Sequence, residues 1–160
     1  TGLVLDIAAF GRRVKFSGTR EKIEKEVEEV YGDAERQKRA RAILLALGQM
    51  GDFAKQARNA VSFAPDIFFA AVLPNYTQRG LRVLELTQNA EQKQSGQGVA
   101  DVETLRVVAA DLNDLGAQMF LGHTPNVVCN DDELLAACRE LNIETGAPVS
   151  MLSRVANAVN

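Results

Sequence analysis

Apolar residues recur at helical spacing in two clean stretches of this chain. After Asp101, the residues Val102, Leu105, Val108, Ala109, Leu112 and Leu115 fall on one face. That period predicts an amphipathic helix with Asp101 as its N-cap. Leu134, Cys138 and Leu141 repeat the pattern further on. There Asn130 supplies the cap, and Glu133 stands three residues later, as a capping box requires. Just upstream, Val127, Val128 and Cys129 form a short apolar run. This predicts a strand over 126–129, then an acidic turn carrying Asp131 and Asp132. Leu3, Val4 and Leu5, followed by Asp6, predict a second strand over 3–5.

The remaining pattern is mostly helical. Residues 11–18 read as a basic turn. Thr19 caps a charged helix reaching Tyr31, with Ile23, Val27 and Val30 as its stripe. A longer helix starts at about Ala34 and turns Ala40, Ile43, Leu44 and Leu47 inward, with Gly48 and Gly51 weakening its end. Residues 52–61 and 77–91 predict further helix. Pro65 and Pro74 bracket 66–73, and the polar Gly-containing segment 92–98 reads as a surface loop. Residues 116–125 read as a long connection. Residues 62–64 and 146–149 are less marked strand candidates. The expected architecture is α/β, a small parallel sheet flanked by helices. Buried parallel strands are short and uniformly apolar, so further strands are easily overlooked. If the two strand segments are helical instead, the alternative is an all-α helical bundle.

Length and composition narrow the class only a little. The 160 residues suit one domain over 1–160, with a helical insertion at about 19–61. Hydrophobic residues make up 46% and charged residues 24%, ordinary for a globular protein. A net charge of −3 gives no global basic field to attract nucleic acid. An acidic metal site recruits phosphate through its cations, so nuclease chemistry stays open. Positive charge is uneven: Arg12, Arg13, Lys15, Arg20 and Lys22 form one group, and Arg36, Lys38, Arg39 and Arg41 another. Cys129 and Cys138 are expected to be buried, reduced core residues. With one histidine they make no zinc signature. No apolar window is long enough for a membrane helix, and no secretory signal pattern is present, so a cytoplasmic setting is expected.

Four segments carry a family resemblance. Val-Leu-Asp-Ile-Ala-Ala-Phe (4–10) resembles the opening of PIN-domain nucleases, where the first strand ends in Asp. Ala-Pro-Asp-Ile-Phe-Phe-Ala-Ala-Val (64–72) resembles their A-P-D-L-x-x-x-E-V segment. The helix opening at Asp101 resembles their later Asp-started helix. Residues 127–134 resemble the final strand and acid. The order agrees, while 11–61 has no counterpart.

The resemblance implies metal-dependent cleavage of RNA. Asp6, Asp101 and Asp131 would be the catalytic acids and, with Asp132, the ligands of Mg or Mn; Glu103 is a further choice. Hard oxygen ligands suit these ions, which lower the pKa of a bound water and shield phosphate charge. Partners implied are RNA and, for a toxin-type nuclease, a neutralising protein; a homo-oligomer is also open. Two positions depart from the pattern. The family's Glu falls on Ala71, and its small polar residue two after the first Asp falls on Ala8. Each acid also has a plainer role. Asp6 can be a solvated strand-end acid, Asp101 a simple cap, and Asp131 and Asp132 can serve the helix dipole. His123 stands in a loop-like segment with no partner visible in the sequence. The competing reading is therefore a non-enzymatic helical interaction or assembly module, either a PIN-like domain that has lost its site or a structural or viral subunit.

Overall fold

The computed structural model describes residues 3–19, 22–49, 64–75, 83–87 and 98–159. A three-stranded sheet forms the centre, in the order β3 (Ile67–Val72), β6 (Gln118–His123), β7 (Glu144–Gly146). Strand β3 runs antiparallel to β6, while β7 runs parallel to it. The parallel pair is joined by α3 (Asp131–Glu140). A parallel connection needs a crossover of this kind. Helix α2 (Val102–Asp114) precedes β6, and α4 (Pro148–Ala158) follows β7.

Alternation along the central strands sorts the core into two layers. Ile67, Phe69, Ala71, Met119 and Leu121 join Leu105, Leu112, Leu134 and Cys138 on the α2 and α3 side. Phe68, Ala70, Val72 and Phe120 meet Met151 and Val155 of α4 and Leu44 of α1 (Asp33–Leu47) on the other. The sheet thus has helices on both faces. Gly122 sits where α4-side space is taken up by Phe68: a Cβ there would lie 2.0 Å from Cε1 of the ring.

The mixed α/β class agrees with the sequence, and the all-α bundle does not hold. Several segments differ. Residues 3–5 are not a strand, and 126–129 keep only one parallel bridge, Gly98 to Val128. The sheet is mixed rather than all parallel. Its central strand lies instead in 116–125, read from sequence as a connection. Strand β6 is buried on both faces along Met119 to His123, so it shows no alternation. Residues 12–19 and 22–29 are also not turn and helix. They form a hairpin of β1 (Arg12–Thr19) and β2 (Lys22–Glu29). The four-residue spacing of Ile23 and Val27 fits both a helix and two strand repeats, and pairing with β1 decides.

Helix α1 agrees with expectation in extent, ending at Gly48 with Ala40 buried, but Ile43, expected inward, is exposed; α2 agrees from its Asp101 cap, although Leu115 at its end is exposed. Residues 146–149 divide between the end of β7 and the start of α4. The helix expected over 77–91 is described only at 83–87, where Leu86–Thr87 is strand β4, paired with β5 (Val99–Ala100). Residues 52–61, 62–63 and 92–97 lie outside the described residues. Among the described residues no helix is long and apolar enough to cross a membrane.

Candidate functional site

The site lies at the C-terminal edge of the parallel pair, where α/β sheets most often bind ligands. Strand β6 ends in His123, and the chain crosses 124–130 before entering α3 at Asp131. His123 Nε2 lies 2.9 Å from Asp131 Oδ1. The Asn126 N–H donates to Asp131 Oδ2 at 2.7 Å. Asn126 has φ of 65°, a left-handed conformation that Asn tolerates better than most residues. Burial pushes the Asp131 carboxyl up, but the bonds from His123 and the Asn126 N–H prevail and hold it below the ordinary carboxylate range. The carboxylate is therefore ionised at neutral pH and only accepts, so His123 carries its hydrogen on Nε2. The His123 side chain is only 7% exposed, against 22% for Asp131.

Asn130 organises the neighbouring chain. Its Oδ1 accepts from the Ala100 N–H at 2.9 Å, and its Nδ2 donates to the Ala100 carbonyl at 2.9 Å. The side chain thus pairs with backbone as a strand would. It does not cap α3 by a side-chain bond to backbone; the expected capping box is replaced by this pairing and a 3.2 Å bond from Asn130 Nδ2 to Glu133. Because Ala100 precedes Asp101 and Asn130 precedes Asp131, the clamp brings the starts of α2 and α3 to one junction. Asp101 accepts from the Thr104 hydroxyl at 2.6 Å and its N–H at 3.0 Å. These bonds hold its carboxyl below the usual range. Asp132 and Glu103 are exposed in the first turns of α3 and α2.

The other expected residues are placed differently. Asp6 is exposed and accepts from the Ala9 N–H at 3.2 Å, capping the short 3-10 turn Ile7–Ala9 beside α1. Ala8 lies within that turn, and its carbonyl accepts from Arg36. Ala71 pairs with Met119, whereas Ile67 pairs with His123. Ala71 is thus four residues from the His123 end, about 13 Å at ~3.3 Å per residue. A carboxylate there would not face Asp131. Among the described residues no group of three or more His, Cys, Asp or Glu side chains is placed to hold a metal ion. Repulsion between converging acids would raise a carboxyl; Asp101 and Asp131 are both lowered instead. Cys129 is exposed, not buried as expected, while Cys138 is buried and its thiol is pushed up to about 11.

Sequence reasoning missed His123 and Asn130 as site residues. Asn130 is legible only as a helix cap and His123 carries no spacing signal, because the partners Ala100 and Asp131 are brought to them by the fold. Comparisons with known protein families, with characterised proteins and with solved structures returned no match.

Proposed function

We propose that this chain is a metal-dependent ribonuclease of PIN-like type, in a weakened form, acting from the edge that carries Asp101, Asp131 and Asp132. The observation that carries the reading is the Asn130–Ala100 clamp, which brings two acid-bearing helix starts to one junction. Helix N-termini favour phosphate through their free N–H groups and dipoles. Mg and Mn commonly use one or two carboxylates together with substrate phosphates and waters. A donor set of this size therefore suits an ion held jointly with RNA. A bound ion would supply charge neutralisation at the phosphate and an activated water. The chain's own residues would position it, with His123 and Asn126 fixing the Asp131 carboxylate. Asp6 enters this reading through the family resemblance alone.

A non-enzymatic interaction module is the second reading. It is favoured by the fact that both carboxylates already accept hydrogen bonds from within the chain, Asp101 from Thr104 and Asp131 from His123 and Asn126. The deciding experiment is cleavage of a labelled single-stranded RNA with Mn²⁺, comparing wild type with Asp101→Asn and Asp131→Asn. Slow, metal-dependent cutting lost in both variants supports the nuclease. No cutting by the wild type, or cutting untouched by either substitution, refutes it.

A further inference from the structure

The β1–β2 hairpin is a two-stranded ribbon with every described side chain, residues 12–18 and 25–29, exposed on both faces. Such a ribbon is marginal in water without a cover. Its two faces differ. Arg13, Lys15, Glu26 and Glu28 share one, with Lys15 and Glu28 paired at 2.7 Å. Arg12, Val14, Phe16, Lys25, Val27 and Glu29 share the other. Phe16 is 70% exposed, Val27 50% and Val14 44%. An alternation of charged and apolar faces is what a half-covered sheet shows, yet no described residue covers the apolar face here.

We infer that this apolar face docks on the same face of a second copy of the chain. The argument is charge complementarity about a two-fold axis. Val14 pairs with Val27 at the middle of the face, Arg12 with Glu29 toward one end, and Phe16 with Lys25 toward the other. Stack two copies with strands reversed, and the valines meet at the centre. Lys25 then faces the second copy's Glu29, and Phe16 faces the second copy's Arg12. The first is an ion pair, the second a cation–π contact, and symmetry makes each twice. Glu29 is held ready by Arg36 at 3.2 Å and Arg12 at 3.8 Å. A nucleic acid fits less well, because Glu26, Glu28 and Glu29 line the strand beside the basic one.

Size sets the strength. Eight residues at ~3.3 Å make the ribbon about 26 Å long, and two strands give a footprint of a few hundred Å², below the roughly 800 Å² per partner of a stable complex. Association is therefore weak and concentration-dependent. Sedimentation equilibrium of the full chain across the micromolar range tests it. The average mass of wild type should climb toward the dimer. Phe16→Ser and Lys25→Glu should each weaken association by about tenfold or more, on the scale of two lost contacts turned neutral or repulsive. Lys25→Arg should keep it, and Lys38→Glu, an equal charge change on exposed α1, should leave it unchanged. A wild type that stays monomeric overturns the inference. So does association that survives both Phe16→Ser and Lys25→Glu, or ribbon variants that lose RNA retention while the mass distribution stays the same.

Discussion

Asn130 and Ala100 make two reciprocal hydrogen bonds, each 2.9 Å, between a side-chain amide and a backbone N–H and C=O. Ala100 is 3% exposed, so water cannot replace the amide. Asn130→Ala should leave two buried backbone groups unpaired, at roughly 2 kcal/mol or more. For a chain of this size that is a fall of several degrees in the thermal midpoint, about 2–4 °C per kcal/mol. Circular dichroism melting measures it. A midpoint within a degree of wild type would show that the clamp is dispensable.

Acid should weaken the fold through Asp101 and Asp131. Both carboxyls are held below their ordinary value of 3.8, by Thr104 in one case and, against burial, by His123 and Asn126 in the other. A lowered folded-state pKa gives stability that is complete above the unfolded value and disappears as pH falls through the folded one. Melting midpoints should hold from neutral pH down to the ordinary carboxylate range and drop below it. Asp131→Asn keeps a hydrogen-bond acceptor but does not titrate, so its midpoint should fall less steeply over that acid range. Parallel wild-type and variant curves would remove Asp131 from this role.

What the sequence reveals depends on how local the signal is. Helix α2 is legible because its apolar face and its Asp101 cap lie within one continuous segment. The acids at 101 and 131 are legible as helix starts for the same reason. Strand β6 is not, since burial on both faces erases alternation and Gly122 resembles a turn residue. The His123–Asp131 contact is not legible either: it needs β6 to end beside α3. The hairpin is hidden by Lys and Glu, residues that favour helix until Val14 and Val27 are paired across strands.

Gly122 tests the packing of the central strand. A Cβ at this position would overlap the Phe68 ring, and the ring is held between β3 and α4. Gly122→Ala should destabilise by about 1–3 kcal/mol, the usual cost of overfilling a packed core. Phe68→Leu in the same chain should recover part of that loss by making room. Urea denaturation reads both. An alanine at least as stable as the glycine would mean that the ring moves freely.

Ala71→Glu separates the fold in hand from a simple repair of the family pattern. If position 71 faced the acidic edge, an added carboxylate would supply a ligand and strengthen metal-dependent cleavage. Its side chain instead packs against the core on the α2 and α3 side, at the Met119 end of β3 and about 13 Å along the strand from the level of His123. A charged side chain forced into that layer lacks a partner and costs several kcal/mol, or stays protonated. The expected outcome is a lower urea midpoint with no gain in RNA cleavage. Ala71→Ser, small and neutral, should cost much less. A glutamate variant that folds normally and cuts RNA faster with Mn²⁺ would show that β3 presents position 71 to the active edge, and that the pairing of Ile67 with His123 is not the arrangement that matters for catalysis.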